Sequence, residues 1–178
     1  MTALADITIR TATPADLEAL LEAERAAFGG PVEAELTAAL IAGAGFVPGL
    51  NLIALDGDRV VGHVLFTRAR AGATDAALLA PLAVVPERQR SGVGGALAAR
   101  GLEVARSLGF EIALVLGHPE YYPRFGFQPA IPLGIEAPYQ IEPPEAWMAI
   151  ELVPGAFGRA AGVVEVAEEL RAPEMWRE

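Results

Sequence analysis

Residues 82–108 read LAVVPERQRSGVGGALAARGLEVARSL, and the fold follows from how this stretch changes character along its length. The stretch opens within an apolar strand, breaks at Pro86, turns through Gln89-Arg90-Ser91-Gly92-Val93-Gly94-Gly95 and continues into an Ala/Leu-rich helix. A helix start leaves its first N–H groups without intrahelical partners and carries the positive end of the helix dipole, so such a turn binds anions. Gly92, Gly94 and Gly95 let a phosphate approach the backbone, because no Cβ stands in the way. Arg88 and Arg90 add positive charge beside the same amides. We read a pyrophosphate-binding loop, with a glycine-rich turn that binds nothing as the alternative.

Two other phosphate loops do not fit. A P-loop ends in Gly-Lys-Ser/Thr, and the chain contains no lysine. A dinucleotide fingerprint has a third glycine three residues after the second, where this chain has Leu97, and no acidic residue ends a following strand at the required distance. What remains is Val84-x-Pro86-x-x-Gln89-x-x-Gly92-x-Gly94. This pattern resembles the coenzyme A loop of the GNAT superfamily of N-acetyltransferases. A second segment, Gly117-His118-Pro119-Glu120-Tyr121-Tyr122-Pro123-Arg124-Phe125-Gly126-Phe127, resembles that superfamily's other signature, a short helix bearing Tyr-Tyr and ending in an aromatic-Gly-Phe. Leu82-Ala-Val-Val-Pro, Tyr121-Tyr-x-Arg-Phe-Gly-Phe and Met148-Ala-Ile-Glu-Leu-Val-Pro are similar to a bacterial branch of these enzymes.

The remaining elements agree with that layout. Ile7 to Arg10 alternates like a strand, and Thr13-Pro14-Ala-Asp16 opens a helix that runs to about Phe28 and stops at Gly29-Gly30-Pro31. A second helix spans Val32 to Ala42. Leu50 to Leu55 and Arg59 to Arg68 form a hairpin about Asp56-Gly57-Asp58, and the third long strand is Ala76 to Val85. After the central helix, Glu111 to Leu116 is a buried strand, and a right-handed crossover places it parallel to Ala76–Val85. Trp147 to Val153 is the last strand, and no repeat or linker divides residues 1–178 into two domains. The fold class is therefore α/β with a mixed sheet. The resemblance implies a single GNAT-like domain, mostly antiparallel, with two central parallel strands splayed around the coenzyme A site.

The resemblance also implies the chemistry. Acetyl-CoA is the co-substrate, the backbone of Leu82 and Val84 pairs with its pantetheine arm, and the amides of Gln89, Arg90, Ser91, Gly92, Val93, Gly94 and Gly95 hold the pyrophosphate. His118 replaces an asparagine that many members place against the arm. An amine then attacks the thioester directly. It must first lose a proton, whereas the departing thiolate is helped by a donor. Tyr122, four residues before Gly126, takes the position of the family's general acid, Tyr121 is the neighbour that a one-residue shift would select, and aromatic packing is the alternative role for both. The strand from Leu78 to Val85 lacks the glutamate that some members use as base. His63, His118, Glu24, Glu33, Glu35 and a chain of waters remain as routes for the amine's proton, each histidine and glutamate having an ordinary packed or solvated role as its alternative. The acceptor is a small-molecule or peptide amine, and its pocket is built from the first two helices and the segment between the last strands, where Pro138, Tyr139 and Trp147 either line it or pack. A non-catalytic acyl-CoA-binding module and an acyl donor other than acetyl-CoA are the competing functions.

Composition bounds the partners. The 178-residue chain is 53% apolar and 20% charged, and its net charge of −10 argues against nonspecific nucleic-acid binding, which needs a basic footprint. No apolar run approaches the ~20 residues that cross a bilayer, and no signal peptide is visible, so the expectation is a cytoplasmic protein without a membrane partner. The absence of cysteine removes disulfides and thiolate metal sites, and no metal is expected. A homodimer is compatible with all of this.

Overall fold

The computed structural model describes residues 3–177. In chain order, β1 (Ile7–Thr11) is followed by α1 (Leu17–Phe28) and α2 (Val32–Ala42). Next come β2 (Phe46–Asp56), β3 (Arg59–Ala71), β4 (Thr74–Val84), α3 (Val93–Ser107) and β5 (Ile112–Leu116). The remaining strands are short: β6 (Gln128–Pro129), β7 (Ile135–Glu136), β8 (Trp147–Glu151) and β9 (Gly162–Val163). Seven strands form one sheet in the order β1-β2-β3-β4-β5-β8-β6, and β7 with β9 form a separate parallel pair. Every neighbouring pair in the large sheet is antiparallel except β4 and β5. The expected mixed sheet with one central parallel pair is what the structure shows. β2 starts four residues before the expected Leu50, because Phe46 already pairs with Thr67.

The sheet is covered on both faces, which explains why β5 and β4 from Ala76 onward are apolar rather than alternating. Ala77, Leu79, Ala113 and Val115 point into a core shared with α1 and α3. Their neighbours Ala76, Leu78, Ile112 and Leu114 point the other way, into a core completed by Leu40, Trp147, Leu170 and Trp176. The chain from Val164 to Trp176 thus supplies much of the second core. Trp176 is anchored there by an Nε1–H bond to the Leu170 carbonyl at 2.7 Å and by edge contact with Trp147.

The entry to α1 is fixed by a capping box in which Thr13 and Asp16 accept and donate reciprocally, after which residues Pro14–Asp16 form one 3₁₀ turn. The Arg10 guanidinium donates to both Asp16 carboxylate oxygens at 2.7 and 3.0 Å, and the Thr13 N–H donates at 2.7 Å. Arg10 first, then Thr13, holds the Asp16 carboxyl well below the usual aspartate range. A depressed carboxyl stabilises the fold above its unfolded pKa of about 3.9, and that contribution disappears as pH falls through the folded value. Asp16→Asn should therefore lower the thermal midpoint at pH 7, and the gap to wild type should close on acidification. A gap independent of pH would show that capping geometry, not charge, is what Asp16 supplies.

Candidate functional site

The parallel pairing of β4 with β5 runs from Ala76↔Ile112 to Leu79↔Val115 and stops there. The sequence explains why. Against β3, Val64 pairs with Leu82 and Phe66 with Leu79, so the single residue Leu65 stands opposite both Ala80 and Pro81. This is a bulge, which bends the strand, and Pro81 has no N–H to offer β5. Beyond it, β4 keeps β3 as a partner and diverges from β5. Two cavities open along the divergence.

The first, about 600 Å³, lies against the loop and is lined by Leu82, Val84, Arg88, Gln89, Arg90, Gly92, Gly94, Gly95, Tyr121 and Arg124. Arg90 at φ 61° and Gly92 at φ 92° both take the left-handed region, curling the backbone ahead of the α3 N-terminus. Such curls turn successive amides toward one side and favour an anion there. Gln89 Nε2–H donates to the Val84 carbonyl at 3.0 Å and ties the loop to the end of β4. A Cβ on Gly94 would stand 3.2 Å from the Tyr121 hydroxyl and 3.5 Å from Val84 Cγ2. The glycine therefore keeps open the space between loop and wall.

The second cavity, about 350 Å³, occupies the mouth of the strand divergence. Leu79 to Leu82 of β4 form one side, Leu116, Gly117 and His118 the other, and Tyr122 lines it between them. Leu82 borders both cavities. Phe28 and Glu33 reach it from α1 and α2, and Met175 and Arg177 from the tail. The Tyr122 ring packs against Gly117, where any Cβ would come within 2.4 Å of Cε2, and it is boxed edge-on by Tyr121 and Phe127. Only a glycine at 117 allows this seat.

The sequence-named residues separate as follows. Leu82, Val84, Gln89, Arg90, Gly92, Gly94 and Gly95 line the first cavity, and Tyr122 and His118 line the second. The Ser91 hydroxyl donates to the Arg88 carbonyl, and the Val93 side chain is buried in the core, so neither side chain faces the first cavity. Arg88 lines that cavity but is paired with Asp56, which leaves Arg90 and Arg124 as its more available cations. His63 is fully buried: Glu24 Oε1 lies 2.5 Å from its Nδ1 and Asn51 Oδ1 lies 2.6 Å from its Nε2. Burial pushes the Glu24 carboxyl up, opposed by His63. This polar chain ties α1 to β2 and β3 and lines neither cavity, whereas Glu33 borders the second. Trp147 is core, and Pro138 and Tyr139 border a separate hollow with Val163 and Arg171.

Sequence reasoning missed Tyr121 and Arg124 as cavity walls. Arg124 lies over the Tyr121 ring at 4.4 Å, and its Nε–H donates to the Tyr121 carbonyl at 2.9 Å. Burial pushes the Tyr121 phenol up, opposed by Arg124, so at neutral pH it is a hydrogen-bond donor. The Tyr-x-x-Arg spacing on one short turn was the available signal. Another cavity, near Arg68, Arg70, Asp75 and Glu165, lies at residues the sequence did not single out, and its Arg70 and Asp75 are paired with each other.

A sequence profile of the Acetyltransferase (GNAT) family matches residues 17–127. The uncharacterised N-acetyltransferase YjhQ of Escherichia coli (strain K12) is 46% identical over 140 residues, covering 75% of this chain and 77% of that protein. Among solved structures, the GNAT-family N-acetyltransferase YhbS of Escherichia coli in complex with CoA superposes with a TM-score of 0.87 at 26% identity, over 94% of this chain and 93% of its own. A GNAT-family acetyltransferase from Brucella melitensis in complex with acetyl-CoA reaches 0.74 at 26% identity, over 92% and 97%.

Proposed function

We propose, because this chain belongs to the GNAT acetyltransferase family, that it transfers an acetyl group from acetyl-CoA to a primary amine, with residues 1–178 acting as one domain. The observation that carries this is the pair of cavities meeting at Leu82: one walled by glycine backbone and arginine, the other by Tyr122 where β4 and β5 part. The residues fit the cofactor. The curled loop and the α3 N-terminus suit a pyrophosphate, Arg90 and Arg124 suit its charge, and a Cβ at Gly94 would fill the cradle. Bound acetyl-CoA supplies an activated acyl carbon and a thiolate leaving group.

The amine nitrogen bonds to the thioester carbonyl carbon as the C–S bond breaks. Tyr122 gives its phenolic proton to the leaving sulfur, and the proton lost from nitrogen passes to Glu33 or to solvent. Glu33 is the one carboxylate among the described residues lining the second cavity. Release of CoA in the presence of an amine, with acetylated amine formed in equal amount, tests the reading. Binding of acetyl-CoA without turnover on any amine would favour a non-catalytic module instead.

The Tyr121 hydroxyl, beside Gly94, would donate to the cofactor and not to the reacting sulfur. Tyr121→Phe should raise KM for acetyl-CoA by about 3- to 10-fold, the worth of one hydrogen bond, and leave kcat nearly unchanged. A drop confined to kcat would place the thioester, not the phosphates, beside Tyr121.

A further inference from the structure

Glu33 and Arg177 line the same cavity of about 350 Å³, and among the described residues neither forms an ion pair. Six arginine–carboxylate pairs occur elsewhere among the described residues, so two opposite charges sharing a cavity without meeting each other stand out. Their positions are held from outside the cavity. Glu33 sits in the first turn of α2, and Arg177 follows the buried Trp176, whose ring and Nε1–H anchor the tail. Phe28, Met175, Leu79 and Leu116 give the same cavity apolar walls. Phe28 is 43% exposed at the end of α1, an apolar surface facing this opening.

We propose that the acceptor is a free α-amino acid with an apolar side chain. This rests on the acetyl-transfer reading above and adds the substrate class. Glu33 accepts N–H bonds from the ammonium, which must shed its proton before attack, and Arg177 takes the carboxylate in the two-pronged geometry that guanidinium favours. Phe28 and Met175 cover the side chain. In the transfer, the α-nitrogen bonds to the acetyl carbon, the C–S bond breaks, Tyr122 protonates the sulfur, and one nitrogen proton leaves to Glu33 or water. A polyamine would meet Arg177 with like charge. A peptide carries an amide in place of the α-carboxylate beside its N-terminal amine, and the cavity lies at the small end of ligand sites.

The test is CoA release from acetyl-CoA with leucine, methionine or phenylalanine, their carboxamides, a dipeptide and spermidine as separate acceptors. The free amino acids should exceed their carboxamides in kcat/KM by at least about 10-fold, with spermidine and the dipeptide lower still. Arg177→Ala should raise KM for the amino acid by about 10- to 100-fold while leaving the carboxamide unchanged, and Arg177→Lys should restore part of the loss. Equal use of amino acid and carboxamide by wild type, or equal harm to both in Arg177→Ala, overturns the inference while the transfer reading stands. Turnover of spermidine alone does the same and makes the acceptor a polycation. No CoA release from any acceptor of this panel overturns this inference, and calorimetry showing no acetyl-CoA binding would remove the transfer reading as well.

Discussion

Gly94→Val should abolish measurable acetyl-CoA binding in a protein that remains folded. The Cβ alone would stand 3.2 Å from the Tyr121 hydroxyl and 3.5 Å from Val84, and the two methyl groups beyond it would occupy the opening between loop and wall. Losing two charge-assisted hydrogen bonds from loop amides to the pyrophosphate, at about 1.5–3 kcal/mol each, makes an affinity loss of at least about 100-fold the expected scale. Calorimetric titration with acetyl-CoA, alongside a thermal melt, separates the effect on binding from one on folding. Gly92 is a less clean choice, although the sequence nominates it equally. Its φ of 92° means any side chain there strains the loop itself, and a lost affinity would not distinguish blockage from a rebuilt backbone. Unchanged affinity in folded Gly94→Val would move the pyrophosphate off this loop.

Tyr122→Phe should lower kcat by roughly 10²–10⁴-fold with little change in acetyl-CoA affinity, the usual scale of a lost general acid. The ring keeps its seat on Gly117 and its edge contacts with Tyr121 and Phe127, so packing is preserved and only the hydroxyl goes. A thiolate is a tolerable leaving group, which sets the expectation toward the low end. Steady-state CoA release measures it. The contrast with Tyr121→Phe is the sharper readout, because the two tyrosines border different cavities: a KM effect at 121 and a kcat effect at 122. A silent Tyr122→Phe in an active enzyme would transfer the proton to water or to His118.

The loop and the parallel crossover were legible because each rests on local rules: a proline, spaced glycines, and a helix between two apolar runs. The mouth of the second cavity was not legible, since it is built by segments far apart in the chain. Glu33 of α2 and Arg177 of the tail come together only because Trp176 finds Trp147 in the second core, a contact with no periodicity to announce it. For the same reason Pro138, Tyr139 and Trp147, offered as walls of the acceptor pocket, do not line this cavity, and the segment between β5 and β8 reaches it only through Gly117, His118 and Tyr122. His63 misleads in the opposite direction. A histidine on a strand suggests a base, but with both ring nitrogens within 2.6 Å of Glu24 and Asn51 oxygens and no surface, it serves as a buried tie beneath α1. The Ala80–Pro81 bulge was written in the sequence as a proline inside a strand, and its consequence, the divergence of β4 from β5, needed the register to become visible.

The most direct test is the position of the thioester sulfur in a crystal structure of the acetyl-CoA complex. The expected result is a pyrophosphate against the amides of residues 89–95 and a sulfur between the ends of β4 and β5, within hydrogen-bond reach of the Tyr122 hydroxyl. A sulfur nearer the Tyr121 hydroxyl, or a cofactor seated in the cavity beside Arg68 and Arg70, would contradict it.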